Sequence, residues 1–383
     1  MAILRHVLRL GNLAGWKLGT GSSQTKWFPV IDFRLKPVEW QADICLVLPA
    51  GTGSVHFGGR RRFGVSGIPE IRPQSTLLRW ATCTPSVHQH PLKPSNSTGP
   101  DERTMIDTTK ADSLNQQLNA TLLQKVEISP GLAILRVAPE NGELAEFSSG
   151  QFAVLGLPGA ASRCPLSEPE DEPAPSDKLV KRAYSIASSS VARDYIEFYV
   201  ALVTSGALSP HLLALEPGDR LWLGPKVSGM FTLDQVPEDK SLLLMATGTG
   251  LAPYMSMLRS NFECARGRHV AVIHGARHSW ELGYRSELLM LANMCPNFTY
   301  LPIISRPQNE HVPWGGQTGY VQDVWESGIL DEKMGVAPTP ENAHVFLCGN
   351  PAMVETMAEE LAERGFDEHS KRSPGQLHLE RYW

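Results

Sequence analysis

The sequence predicts a two-domain α+β protein, in which an antiparallel β-barrel is followed by an α/β domain with a doubly wound parallel sheet. Three observations support this prediction. Short strand-like segments separated by turn residues recur between residues 120 and 223, as in a small barrel. From residue 241 onward, apolar strand-length runs alternate with helical patterns, as in a parallel sheet. Residues 1–104, by contrast, show neither the apolar periodicity of a strand nor that of a helix for more than a few residues.

Composition limits the classes of protein that the chain can form. The chain has 383 residues, 42% of them hydrophobic and 20% charged, which permits two or three domains with packed cores. No apolar run approaches the roughly 18 residues of a membrane span, so no membrane partner is expected. The six cysteines are scattered without a CxxC spacing, so we expect no metal site and reduced thiols in a cytoplasmic protein.

The first quarter of the chain differs in charge from the rest. Residues 1–104 have 13 basic and 6 acidic residues, whereas the remainder has 22 and 34. We expect residues 1–104 to be a non-native or a disordered extension, with Met105 as the natural start. Residues 1–31 contain no acid, so a transit peptide is the alternative. Three arginines at Arg60–Arg62 are more often solvated than bound to nucleic acid, and no nucleic-acid partner is expected.

The predicted barrel domain covers residues 105–235. Turn residues at Ser129-Pro130-Gly131 separate its first two strands. Residues 167–178 form an acidic, proline-rich loop, and Ser209–Leu215 is compatible with a short helix. The predicted strands are Leu122–Ile128, Leu132–Val137, Gln151–Leu157, Lys181–Ala187, Tyr195–Val203 and Arg220–Leu223.

The predicted α/β domain covers residues 236–383 and ends in an aromatic tail. Ser241–Ala246 is a continuous apolar run, as expected of a strand buried on both faces. It leads into the glycine turn Thr247–Gly250 and then a helical pattern at Leu251–Phe262. Strand, glycine turn and helix in this order suit a bound phosphate. The later strands and helices are predicted at His269–His274, Ser286–Met294, Phe298–Ser305, Gln322–Ser327, His344–Cys348 and Met353–Arg364.

Ligands of such sheets bind at the carboxyl ends of the strands. Four predicted strand ends have small or phosphate-suited residues, which supports nucleotide binding more strongly than one glycine turn does. These ends are Thr247–Gly250, Gly275–Arg277, Ser305-Arg306 and Cys348–Asn350.

Six motifs in order resemble the ferredoxin–NADP⁺ reductase superfamily, and in particular its bacterial ferredoxin/flavodoxin members. The resemblance extends from about residue 118 to residue 383 and excludes residues 1–104. The motifs are Arg182-Ala183-Tyr184-Ser185, Phe198-Tyr199-Val200 with Gly206–Pro210, Ala246–Tyr254, Ser305-Arg306 with Thr318-Gly319-Tyr320, Cys348–Pro351, and the ending Glu380-Arg381-Tyr382-Trp383.

The resemblance implies a bound FAD. Arg182 would bind its pyrophosphate, Tyr184 would stack on one face of the isoalloxazine, and Ser185 would lie near flavin N5. Tyr382 would cover the other face of the flavin, and Trp383 would stack on its adenine. The remaining implied flavin residues, acting mostly through their backbone, are Ala183, Tyr199, Val200, Ala201, Leu202, Ala207, Leu208, Ser209 and, close to both cofactors, Thr249.

The resemblance also implies an NADP(H) site. Ser305 and Arg306, with Arg277, would bind the 2′-phosphate. Cys348 would lie beside the nicotinamide C4, and Glu380 is a candidate proton or orientation partner. The implied catalytic residues are thus Ser185, Cys348, Tyr382 and Glu380, and the other implied NADP residues are Thr247, Gly248, Gly250, Tyr320, Gln322, Gly349 and Asn350. Some bacterial members have an arginine where this chain has Tyr320, which leaves the preference for NADP⁺ over NAD⁺ open.

The implied activity is hydride transfer between NADP(H) and flavin N5, coupled to one-electron exchange with ferredoxin or flavodoxin. A basic docking face would include Lys181, Arg182, Arg220 and Lys226. The alternatives are another NAD(P)H:flavin or oxygenase-component reductase of the superfamily, and a flavin electron-transfer or regulatory subunit without turnover. Structural roles are the alternative for single residues: core packing for Tyr184 and a buried thiol for Cys348.

Overall fold

The computed structural model describes residues 113–170 and 173–381 of the chain. The expectations for residues 1–104, for Met105 and for the terminal pair Tyr382 and Trp383 lie outside these residues. The domain limits at residues 105–235 and 236–383 therefore remain a prediction.

The first six strands form one antiparallel sheet that closes on itself. Its order is β4-β3-β6-β1-β2-β5, and an antiparallel bridge between Ile186 and Phe198 joins its two ends. This closure confirms the predicted barrel. The strands are β1 (Ala120–Ser129), β2 (Leu132–Pro139), β3 (Phe152–Pro158), β4 (Leu179–Ser185), β5 (Ile196–Ala201) and β6 (Arg220–Leu223), and helix α1 (Ser209–Ala214) lies between β5 and β6.

The second six-stranded sheet is parallel, with the order β10-β9-β8-β7-β11-β12, which confirms the predicted α/β class. Its strands are β7 (Ser241–Thr247), β8 (Val270–Ala276), β9 (Phe298–Ile304), β10 (Gln317–Thr318), β11 (Ala343–Cys348) and β12 (Leu377–Glu380). Its helices are α2 (Ala252–Asn261), α3 (Arg285–Met294), α4 (Val321–Glu326), α5 (Ile329–Met334) and α6 (Pro351–Glu363).

Helices cover both faces of this parallel sheet. Leu244 on β7 faces a core that contains Met255 of α2 and Leu288 of α3. The next residue, Met245, faces the opposite core, which contains Met357 of α6. The strand alternation thus buries both sides of β7, as its uninterrupted apolar sequence predicts.

Strand β5 faces two different neighbours. Phe198 and Val200 are fully buried in the barrel core, whereas Tyr199 belongs to the core that includes α2 and α3. The Tyr199 hydroxyl accepts a hydrogen bond from Gly283 N (3.1 Å) and donates one to Glu281 O (3.3 Å). Because side chains alternate along a strand, β5 contributes to the barrel interior and to the contact with the α/β part at once.

A buried ion network reinforces this contact. Glu197 on β5 is 1% exposed; its carboxylate accepts hydrogen bonds from Arg259 of α2 (2.7 Å), Arg136 of β2 (2.8 Å) and the Tyr284 hydroxyl (2.9 Å). Arg259 also makes a paired contact with Glu287 of α3 at 2.9 and 2.7 Å. Two barrel strands and two helices are therefore joined through one buried carboxylate.

The expectation of reduced thiols is wrong for one pair of cysteines. Cys264 and Cys295 form a disulfide between the segments that follow α2 and α3, because the packing of these helices brings together residues that are 31 positions apart in sequence. Cys164 and Cys348 are buried free thiols. Among the residues that the structure describes, no helix is long and apolar enough to cross a bilayer.

Candidate functional site

A cleft of about 350 Å³ lies where the barrel meets the carboxyl edge of the parallel sheet. One wall comes from the end of β4, from β5 and from the segment that leads into α1, and the other comes from the glycine turn after β7 and the end of β11. The cleft is lined by Arg182, Ala183, Tyr184, Ser185, Tyr199, Ala201, Val203, Gly206, Ala207, Leu208, Ser209, Thr249, Gly250, Ala252 and Gly349.

The Arg182–Ser185 motif occupies the end of β4, and all four of its residues line the cleft. Arg182 is exposed and donates to the Lys181 carbonyl at 2.8 Å. Tyr184 is half-buried, and this burial raises the pKa of its hydroxyl, so the phenol stays neutral. Ser185 is 7% exposed, and its hydroxyl has no hydrogen-bond partner among the described residues. A buried hydroxyl without a partner points to a polar atom that the described residues do not supply.

The second flavin segment is divided between the cleft and the barrel core. Tyr199 and Ala201 line the cleft, whereas the Val200 side chain is buried in the barrel core and Leu202 packs against that core. The strand alternation separates these residues, so Val200 and Leu202 can reach a ligand only through their backbone.

The turn into α1 completes this wall. Ala207, Leu208 and Ser209 line the cleft, and Leu208 also packs into the barrel core. The Ser209 hydroxyl accepts a hydrogen bond from Val203 N at 3.0 Å. This bond closes the loop between β5 and α1.

The glycine turn after β7 is interlocked with the end of β11. Residues Gly248–Leu251 form a 3-10 turn, and the Thr247 hydroxyl accepts a hydrogen bond from Asn350 N at 2.7 Å. A Cβ on Gly250 would approach the Cys348 carbonyl oxygen to 2.3 Å, and a Cβ on Gly349 would approach the Thr247 hydroxyl to the same distance. Only glycine permits this approach, which places Thr249 on the cleft wall.

Cys348 lies beside this turn at the end of β11, and Glu380 lies next to Cys348 on the neighbouring strand β12. They are register partners of β11 and β12, and the Cys348 sulfur is 3.8 Å from Glu380 Oε2. Burial, together with the adjacent carboxylate, raises the pKa of the Cys348 thiol well above its usual range. The thiol is therefore protonated and can donate its hydrogen to Glu380.

The predicted phosphate residues meet at the ends of β8 and β9. Ser305 N donates to Ala276 O and Arg306 N donates to Arg277 O, both at 3.0 Å. Arg277 forms an ion pair with Glu281 at 2.6 Å. Arg306 is exposed and forms no ion pair within the described part of the chain.

Tyr320 and Gln322 begin helix α4. Tyr320 is 67% exposed and caps the helix through a hydrogen bond from its own N to Asp323 Oδ2 at 2.7 Å. Gln322 is half-buried, and its Oε1 has no hydrogen-bond partner among the described residues. The hydrogen bond from Gly319 N to Ile304 O (2.9 Å) holds this helix start beside the end of β9.

Sequence reasoning missed Glu197, Arg259 and Glu281. Glu197 was detectable as a charged residue inside an apolar strand. The partner of Arg277 was detectable from the spacing of four residues to Glu281. No sequence pattern indicated that Arg259 would reach across to the barrel.

Comparisons with known proteins agree with this geometry. Residues 244–359 match the family model of the oxidoreductase NAD-binding domain. The flavodoxin/ferredoxin–NADP reductase of Escherichia coli (strain K12) is 34% identical over 238 residues, which are 62% of this chain and 88% of that protein. The ferredoxin–NADP reductase B of Sorangium cellulosum is 33% identical over 270 residues, which are 70% of this chain and 98% of that protein.

Solved structures share the fold. A ferredoxin NADP⁺ reductase from Neisseria gonorrhoeae, solved with bound FAD and NADP, superposes with a TM-score of 0.56 at 23% identity, over 70% of this chain and 99% of that one. A cytochrome P450 reductase from Amycolatopsis superposes with a TM-score of 0.52 at 24% identity, over 69% of each chain. Because the sequence relatives exceed 30% identity over nearly their whole length, the chain belongs to the ferredoxin/flavodoxin–NADP reductase family of oxidoreductases.

Proposed function

We propose that the chain is an FAD-dependent ferredoxin– or flavodoxin–NADP⁺ reductase. The observation that carries this proposal is the single cleft lined both by the Tyr184–Ser185 end of β4 and by Thr249, Gly250 and Gly349 of the parallel sheet. A flavin held by the barrel and a nicotinamide held by the sheet would meet in this space.

The barrel side has the chemistry that a flavin requires. FAD, when bound, accepts a hydride and releases electrons one at a time, which is chemistry that side chains alone do not supply. Tyr184 would present an aromatic face to the ring system. The buried Ser185 hydroxyl, without a partner in the described part of the chain, would donate a hydrogen bond to a ring atom. Arg182 would neutralise the diphosphate as a guanidinium.

The sheet side has the chemistry that NADP(H) requires. The protonated Cys348 thiol and Glu380 would border the nicotinamide without adding a charged sulfur to the site. Exposed Arg306 would bind the 2′-phosphate as a charged donor. Arg277 would contribute less, because its guanidinium is already paired with Glu281.

The proposal includes an acidic electron carrier, ferredoxin or flavodoxin, and a cytoplasmic place of action. Among the predicted docking residues, Arg182 and Lys226 are exposed, and the Lys181 ammonium lies 3.7 Å from the centre of the Trp222 ring. Arg220 is the exception, because Glu140 neutralises it through an ion pair. We therefore expect Lys181 and Lys226 to contribute to docking, but not Arg220, nor Arg182 once its charge is engaged by the FAD diphosphate.

The test uses the full chain purified with added FAD. A visible absorption band of the bound flavin should bleach on addition of NADPH and bleach more slowly with NADH, and ferredoxin or flavodoxin should restore the band. A protein that binds no FAD, or a bound flavin that neither nucleotide bleaches, contradicts the proposal. A bound flavin that NADPH bleaches but neither carrier reoxidises contradicts only the choice of partner.

A further inference from the structure

The loop between β3 and β4 folds over the outer side of the cleft wall. This β3–β4 loop (residues 159–170) leads into the acidic, proline-rich stretch of the sequence. Glu168 N donates to the Thr204 carbonyl at 2.9 Å, and the Thr204 hydroxyl donates back to Glu168 Oε2 at 3.0 Å. Cys164 N donates to the Pro210 carbonyl at 2.9 Å. The loop is thus hydrogen-bonded to the segment whose members Gly206 to Ser209 line the cleft.

Arg163 is the centre of these contacts. One of its terminal nitrogens donates to the Gly206 carbonyl at 3.0 Å, and the other donates to the Thr204 carbonyl at 3.1 Å and to the Glu168 carbonyl at 2.7 Å. Its charge is balanced by Glu170, whose side chain is 9% exposed. A planar guanidinium can hold several carbonyls in one fixed arrangement. Arg163 therefore fixes the orientation of the Gly206–Ala207 peptide group in the cleft wall and of the Thr204–Ser205 peptide group just before it.

A peptide group that is fixed by Arg163 through its carbonyl directs its N–H donor away from Arg163. Each trans peptide places its carbonyl and the following N–H on opposite sides of the bond, and no described peptide is cis. The carbonyl of Gly206 bonds Arg163, so the N–H of Ala207 points away from Arg163. Ala207 lines the cleft. Arg163 thereby fixes the direction of one backbone donor in the cleft wall.

We propose that Arg163 is a positioning residue for FAD, which holds the Thr204–Ala207 backbone in the conformation that binds the cofactor's diphosphate. This inference rests on the proposed function. A preorganised donor avoids the entropy of ordering the loop at the moment of binding. Without Arg163, the apoprotein keeps its barrel but must order this wall each time FAD binds.

The test measures the Kd of FAD for the apoprotein from the quenching of flavin fluorescence. Arg163→Ala should weaken FAD binding by roughly tenfold, which corresponds to the loss of about one net hydrogen bond. The kcat at saturating FAD should stay within about twofold. The Kd of FAD for Arg163→Lys should lie between those for the wild type and for Arg163→Ala, because an ammonium donates to carbonyls but lacks the two parallel terminal nitrogens of a guanidinium. The matched control is Arg193→Ala, since Arg193 also pairs with a carboxylate (Glu146) and donates to a carbonyl (Leu144), but outside the cleft lining.

The increase in Tm on FAD binding distinguishes a positioning role of Arg163 from a purely stabilising role. A purely structural role would lower the Tm of the apoprotein and leave the FAD-induced rise unchanged, which would contradict the proposal. A wild-type Kd in Arg163→Ala contradicts it as well. Should that variant fail to fold, a wild-type Kd in Arg163→Lys is the contradicting result. A wild-type protein that binds no FAD refutes the proposed function instead.

Discussion

Replacing Arg259 with methionine tests whether the buried ion network holds the barrel against the α/β part. The substitution keeps the length of the side chain and removes the charge that Glu197 (1% exposed) and Glu287 share. Breaking a buried pair costs about 3–5 kcal/mol. We expect about 3 kcal/mol, the lower end of that range, because Arg136 and Tyr284 remain bonded to Glu197. At the usual unfolding entropy per residue, the corresponding fall in Tm for a fold of about 270 residues is roughly 5 °C.

The assay is thermal and urea unfolding of the FAD-loaded protein at pH 7. Burial raises the pKa of Glu197. The contacts with Arg259, Arg136 and Tyr284 lower it by a larger amount, so the pKa lies below its usual value of 4.5. The contribution of the carboxylate is therefore complete above pH 4.5 and is lost only as the pH falls through the lowered pKa. The control is Arg193→Ala, an exposed pair worth less than about 1 kcal/mol. If Arg259→Met loses no more stability than this control, the network does not hold the two parts together.

Three further outcomes follow from the site and its surroundings. Arg306→Ala should raise the KM for NADPH roughly tenfold to 100-fold, the cost of a charged hydrogen bond, and leave the KM for NADH unchanged; equal effects on both exclude a 2′-phosphate role. Cys348→Ala should slow flavin reduction by NADPH roughly tenfold or more, a loss of about 1.4 kcal/mol of transition-state stabilisation, whereas Cys164→Ala, at another buried thiol, should match wild type in stopped-flow measurements. Burial lowers the pKa of His274 to about 3, and burial with two neighbouring histidines lowers the pKa of His378 to about 3. Below pH 6.5 both rings are thus neutral in the fold and become protonated on unfolding. The free energy of unfolding should therefore decline as the pH falls from 6.5 toward 3, by about 1.4 kcal/mol for each histidine at pH 5.5. Urea unfolding of His378→Gln should show a shallower decline, and a pH dependence identical to that of the wild type would contradict this.

Apolar pattern predicted most of the fold. Strand β6 is found at Arg220–Leu223 as predicted, and the buried strands β7 and β11 lie within one residue of their predicted limits. Strand β12 (Leu377–Glu380) was missed, because His378 and Glu380 interrupt its short apolar pattern. Its strand conformation depends on parallel pairing with β11, which a local pattern does not contain.

The site was predictable where the chain itself determines the geometry. Tyr184, Ser185 and Thr249 all line one cleft, as the ordered motifs implied. The placement of Val200 in the barrel core follows from strand alternation. The role of Arg259 depends instead on how helix α2 packs against the barrel, and a linear sequence reports such packing only weakly.

Because β5 packs on both of its faces, it restricts which insertions and domain exchanges this enzyme can accept. One face of the strand carries Glu197 and Tyr199 toward α2 and α3, and the other fills the barrel. Inserting one residue into β5 would exchange the two faces. A chimera that fuses this barrel to the nucleotide half of a relative must also import Arg259 and Glu287, or the graft will leave a buried carboxylate short of its counter-charge.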